Sequence, residues 1–505
     1  MTHVEIVALR LDASYLSRPM RRHFLLIAST FVALSCGDSS GPGGGRPGLT
    51  LVSGYNLTDT VTARPDKALV VEVRDDRGAI VPRGTIVRFT GVGSSYFQSE
   101  MTVEGLTSAY YDVFSTGETD GAGRAAVLVQ MGRRAGPARI VISVPTLGLQ
   151  DTARYTVLPG QPSALLLMPA DTTMYASGTY TIRGGVVDQF DNARSDPVVF
   201  TASSPGISVT SSGVVTARTI GRYTVTGKAG GLSGSSSVSV VPEGTLAGLV
   251  YRDNGLHIVS FNLDGSGFHD LVGVINGGIG PRPQWIPGSS TIIYTDLVGG
   301  LQQMRTVDAS GNVSTFFPNP PATMTHQAEP SPSANAPVLY FSAYDSRCPG
   351  YGYCLFRSGI DGTNPEPLGD VVGPGQGEWH PSASPDGSKV AFVTSGQIKV
   401  FDYSTRTVST WGVAGDHPAW SPDGTRIAYT DPYGGPLHLM NADGTNQRVI
   451  GSASGGYSGF PAWSPDSKWI IGQNVSYGIL HIIEVATGNI LPVTNGAGYS
   501  SLSWK

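Results

Sequence analysis

Apolar and polar residues alternate one by one in short runs along much of this chain, the period of half-buried β-strands rather than helices. Leu69-Val70-Val71-Glu72-Val73 places Leu69, Val71 and Val73 on one face, and Asp75-Asp76-Arg77-Gly78 then turns the chain toward Ile80-Val81 and Val87-Arg88-Phe89. Thr119-Asp120-Gly121-Ala122-Gly123 leads into Arg124-Ala125-Ala126-Val127-Leu128-Val129, and Ala138-Arg139-Ile140-Val141-Ile142-Ser143-Val144 follows. These segments predict a first sandwich over residues 49–158. Pro159-Gly160-Gln161-Pro162 punctuates the chain, and Val186-Val187-Asp188-Gln189-Phe190-Asp191-Asn192, Gly213-Val214-Val215-Thr216-Ala217 and Gly221-Arg222-Tyr223-Thr224-Val225-Thr226 predict a second over residues 159–243.

From residue 244 a longer unit repeats, at a spacing of roughly 40 residues, the signature of a propeller. Its fullest copy is Pro418-Ala419-Trp420-Ser421-Pro422-Asp423-Gly424 running into Ile427-Ala428-Tyr429. It returns at Pro461-Ala462-Trp463-Ser464-Pro465-Asp466, at Pro381-Ser382-Ala383-Ser384-Pro385-Asp386-Gly387, and more faintly at Pro283-Gln284-Trp285 and Pro330-Ser331-Pro332-Ser333. Each copy predicts an inner strand, a Pro-Asp-Gly turn and a second strand. Third strands and Asp-Gly turns such as Asp264-Gly265, Asp361-Gly362 and Asp443-Gly444 complete about six blades over residues 244–505. Ser500-Ser501-Leu502-Ser503-Trp504 reads as an inner strand without a successor, and Leu246-Ala247-Gly248-Leu249-Val250-Tyr251 as a second strand without a predecessor. Pairing them closes the ring. The expected fold class is therefore all-β, two sandwiches followed by a six-bladed propeller.

Composition agrees: 67 Gly and 35 Pro among 505 residues, with 14% charged, suit many turns and short strands. A formal net charge of -5 gives no basic footprint for nucleic acid. Met20-Arg21-Arg22-His23 followed by the apolar run from Phe24 to Ser35 reads as a secretory leader over residues 1–36, with Met20 the expected start. Ala33-Leu34-Ser35-Cys36 resembles a bacterial lipobox, which implies lipid attachment at Cys36, a flexible Gly-rich tether over residues 37–48 and an address in the outer membrane or periplasm; ordinary cleavage nearby is the alternative. Cys348 and Cys354, six apart, could close a hairpin as a disulfide in an oxidising compartment, or remain as buried thiols.

The sandwich segments resemble bacterial Ig-like domains of invasin and intimin type, which implies spacers. The Pro-Ala-Trp-Ser-Pro-Asp-Gly repeat resembles the TolB-type propeller, whose namesake works in the periplasm with a lipoprotein partner. Similar repeats occur in peptidase propellers and in metal-dependent pectate-degrading lyases, so the fold does not choose a function.

Candidate chemistry sits one residue before the inner-strand Pro, where Arg282, Glu329, His380, His417 and Phe460 align with Ser501. Inner strands converge on a central channel, so this ring is expected at one mouth of it, with the residues before Pro in extended backbone. Two His and a Glu could hold a divalent metal, with His326 in reserve and Arg282 facing an anionic ligand. His257, His438 and His481 recur on third strands of different blades and are expected to pack apart. Asp75, Asp76 and Asp120 read as solvated turns rather than a calcium site. Nucleophile elbows, zinc-protease helices and phosphate-binding loops are missing. The expected function is an envelope-anchored, non-catalytic, monomeric protein binding a protein or glycan; the alternatives are a metal-dependent polysaccharide lyase or hydrolase and a purely structural spacer.

Overall fold

Period-two alternation gives strands, and in the computed structural model the described residues are strands apart from turns and one short 3-10 turn at Pro145–Leu147. The structure describes residues 48–505 except 94–97, 107–109, 277–279, 349–351, 370–376, 433, 452–455, 475–477 and 494–497. The expected leader, Cys36 and residues 37–47 of the expected tether lie outside the described residues, while Gly48 already opens a strand. Among those described, no helix is long and apolar enough to cross a membrane.

The first sandwich packs a four-stranded sheet against a five-stranded one. Leu69–Arg74 lies inside the first, between Gly48–Ser53 and Arg124–Met131, and its alternation is realised: Leu69, Val71 and Val73 are buried in a core with Val127, Ile140 and Ile142. Asp75 and Asp120 accept backbone N–H bonds within their own turns, Asp75 from Arg77 and Ala79, Asp120 from Ala122 and Arg124. The second sandwich is built from a four-stranded sheet and two three-stranded ones around Ile182, Val186, Val215, Val225 and Val238.

Two joints hold the segments together. At the first, the turn after Arg183–Asp188 reaches back: Ala135 N donates to Asn192 Oδ1 and Asn192 Nδ2 to the Arg133 carbonyl, both at 2.8 Å. Asp188, 1% exposed, accepts from Gly160 N at 2.7 Å and from Phe190 N and Asn192 N. At the second, Tyr175 Oη donates to the Gly244 carbonyl at 3.0 Å, and Tyr175, Ile220 and Val241 pack into a core shared with Trp504, Leu246 and Ile482.

Six antiparallel sheets then form a propeller, each inner strand touching the next around the ring. The Ser-Pro-Asp-Gly turn explains the repeat motif. Ser421 Oγ donates to Asp423 Oδ1 at 2.6 Å and accepts from Arg426 N at 3.0 Å, while Asp423 Oδ1 also accepts from Thr425 N at 2.9 Å. Ser384 with Asp386 and Ser464 with Asp466 repeat the arrangement. Gly424 (φ +74°) and Gly387 (φ +70°) supply the left-handed position, which only glycine takes without strain. The ring closes through a composite blade in which Tyr499–Trp504 pairs with Thr245–Arg252, Leu246 opposite Trp504 and Val250 opposite Tyr499. Among the described residues, this pairing covers the inner edge of Thr245–Arg252.

Candidate functional site

The residues before the inner-strand prolines depart from one expectation. Glu329 (φ +57°), His380 (φ +53°) and His417 (φ +49°) are left-handed, not extended, as is the aligned Ser501 (φ +49°) before Leu502, whereas Arg282 and Phe460 do not take positive φ. The cause is a bulge in the strand that carries each of them: register shifts fall between Ala328 and Ser331, Trp379 and Ser382, Asp416 and Ala419, and Ser500 and Ser503. An extra residue on one strand bends it and re-aims a side chain, here at an energetic cost of about 1 kcal/mol or more each. The bulge, not the proline, sets where these side chains go.

The structure brings Arg282, Glu329, His380, His417 and Phe460 together. The imidazoles of His380 and His417 stack with centroids 4.3 Å apart, and Phe460 meets both edge-on at 5.2 and 4.6 Å. Arg282 crosses the channel: its guanidinium lies 3.8 Å from the Phe460 centroid and Nη1 donates to the Pro381 carbonyl at 2.8 Å. It is 4% exposed, and burial pulls its pKa down to about 10 against the opposing pull of Glu329, so it stays charged at neutral pH. Glu329, 1% exposed, accepts the His380 backbone N–H at 2.7 Å and faces His380 Nε2 at 3.2 Å.

Asp416 joins them, a residue the repeat alignment passes over because it stands one place before the ring position. Its Oδ1 lies 2.5 Å from His380 Nδ1, and its Oδ2 lies 3.7 Å from His417 Nδ1. The signal available in sequence was the Asp-His-Pro order itself, which puts a carboxylate beside an inward-facing imidazole. Burial works against a charge on His380, but the Asp416 bond and the Glu329 carboxylate outweigh it and raise its pKa; burial and the neighbouring His380 lower that of His417. The ring thus sets the carboxyls of Glu329 and Asp416 among Arg282 and two imidazoles.

His326 stands elsewhere. Its ring meets Tyr344 and Tyr353 and its Nδ1 lies 3.2 Å from Thr325 Oγ1, so the proposed reserve ligand belongs to an aromatic group at the end of its own blade. His257 pairs with Asp270, His438 with Asp431, and His481 with the Tyr457 hydroxyl, each within its own blade. Cys348 and Cys354 are joined as a disulfide, with Cα atoms 6.1 Å apart.

Beyond Arg282 the channel opens into a cavity of about 370 Å³ that follows the inner strands to the Ser-Pro-Asp turns. Trp285, Trp420, Trp463 and Trp504, all at one repeat position, line it. No protein-family model matches the sequence, and no curated protein matches it. Similar solved structures exist. TolB from Acinetobacter baumannii is 14% identical with a TM-score of 0.41, over 61% of this chain and 82% of TolB. A putative TolB from Agrobacterium tumefaciens is 15% identical with a TM-score of 0.38, over 52% of this chain and 94% of its own. A protein of unknown function from Bacteroides thetaiotaomicron is 11% identical with a TM-score of 0.31, over 90% of this chain and 87% of its own.

The indoles are held in place by the scaffold. Trp463 Nε1 donates to the Ala419 carbonyl at 2.9 Å and Trp420 Nε1 to the Gly424 carbonyl at 3.2 Å, while Lys505 Nζ lies 4.3 Å from the Trp285 centroid. Between blades, Ser503, Ser331 and Ser382 each accept a backbone N–H from the next inner strand, those of Trp285, Ala383 and Trp420. Repeated serine hydroxyls thus lock neighbouring blades and leave the apolar faces to the cavity.

Proposed function

We propose that this is an exported, lipid-anchored binding protein whose tryptophan-lined channel end receives a glycan or a segment of a partner protein, and whose sandwiches carry the propeller away from the membrane. The observation that carries the reading is the cavity of about 370 Å³ with four indoles at its wall. Ligand sites are concave, mostly apolar and aromatic, of about 300–1,000 Å³, with a few polar groups to orient the ligand. Indole offers a large, stiff surface for a sugar ring or an apolar side chain. Trp285 and Trp420 keep part of their surface open, whereas Trp463 and Trp504 form the fixed floor. The leader, Cys36 and the Gly-rich tether supply the anchor in this reading, and the two stapled joints make the sandwiches a spacer.

Glycan arrays and capture from envelope extract test it, with the unaltered chain beside a Trp285→Ala/Trp420→Ala variant. Expected is a ligand retained by the first and lost from the second. Retention of nothing by the unaltered chain in either assay, or equal retention by the variant, overturns the reading.

A further inference from the structure

At the Arg282 end of the channel, both stacked imidazoles turn Nδ1 toward a single carboxylate. His380 Nδ1 lies 2.5 Å from Asp416 Oδ1, and His417 Nδ1 3.7 Å from Asp416 Oδ2. The other nitrogen of His380 faces Glu329, whose side chain is 1% exposed. The hydrogen bond of this imidazole runs between Nδ1 and Asp416 Oδ1, and the backbone N–H of His380 donates to Glu329. A metal ion can take the place of the proton in that bond, with His417 Nδ1, 3.7 Å from Asp416 Oδ2, as a second nitrogen beside it.

The geometry points to a zinc-class divalent cation held by His380 Nδ1, His417 Nδ1 and Asp416, with Glu329 as the outer carboxylate that orients His380. One donor atom from each of the three residues lies within 4.8 Å of the others. Two imidazoles and one carboxylate are the ligand set of an open zinc site, in which a fourth position is left for solvent or ligand, and imidazole favours zinc over magnesium or calcium. The three side chains keep 23%, 22% and 16% of their surface exposed, so that fourth position opens to the channel. Ligand distances of about 2.0–2.2 Å require His380 and Asp416 to part by less than about 1 Å. Binding exchanges one cation for another: the ion enters, the proton between His380 and Asp416 leaves to solvent, and His380 becomes a neutral ligand. His380 then carries its remaining proton on Nε2, 3.2 Å from Glu329 Oε1, the outer carboxylate contact that metal-bound histidines usually make.

This site uses none of the tryptophans, so it stands or falls apart from the binding reading above. The test is titration of the full, metal-free chain with zinc chloride by calorimetry, with X-ray absorption on the loaded protein. Expected is one zinc per chain with imidazole nitrogen and carboxylate oxygen neighbours. Binding is lost in His417→Ala and Asp416→Asn, is weakened about 10–100-fold in Glu329→Gln, and is unchanged in His438→Ala, which removes a histidine–aspartate pair from the same blade. No saturable binding by the unaltered chain overturns the site without recourse to any variant. So does undiminished binding by folded His417→Ala, or loss of zinc from folded His438→Ala.

Discussion

A single aspartate at the Ser-Pro-Asp-Gly turn shows how local chemistry sets the position of each blade. Asp423 Oδ1 takes bonds from Ser421 Oγ, Thr425 N and Thr425 Oγ1, and its backbone N–H donates to Ser467 Oγ of the next blade at 3.1 Å. Asp423→Ala leaves those donors to water and is expected to cost about 1 kcal/mol, read as a lower midpoint in denaturant at unchanged slope. The turn was legible because its residue types are those the hydrogen bonds require. Positive φ at Glu329, His380 and His417 was not, since proline at the next position argues for extended backbone and only the pairing register reveals the bulge. Asp416 escaped for a related reason: the bulge turns a residue outside the aligned position toward the same centre.

At the scale of the strand, the propeller depends on one pairing between its two ends. Tyr499–Trp504 supplies the inner strand of the composite blade and buries Leu502 and Trp504 against Leu246, Phe261 and Ile482. Removing residues 500–505 opens the ring, uncovers that core and strips a partner from Thr245–Arg252. The truncated chain is expected to melt well below the full one and to bind a hydrophobic dye at temperatures where the full chain does not; coincident melting curves would show the seam to be dispensable. Strands and closure could be read from periodicity, because burial on one face leaves a period of two. The cavity could not, since it depends on how six inner strands converge and on Arg282 lying across them.

Across the whole molecule, the joints decide whether the propeller is carried stiffly or swings. Asp188 sits at the first joint, where burial disfavours its charge but bonds from Asn192, Gly160 and Phe190 win and depress its pKa. A depressed carboxylate stabilises the fold fully above its unfolded value near 3.8, and that contribution is lost as pH falls through the lower folded value. Asp188→Asn should therefore lower the melting temperature at neutral pH, and the gap to the unaltered protein should narrow only below about pH 3.8. A constant gap down to lower pH would mean that the charge plays no part.

The composite blade also bears on time. Its seam joins strands from opposite ends of the propeller, and contacts between distant parts of a chain form slowly because loop entropy must be lost before they give anything back. A chain made from its amino end presents Thr245–Arg252 long before Tyr499–Trp504 arrives. For that interval the first blade carries a bare inner edge, and the propeller cannot become a closed ring until its final strand has been made.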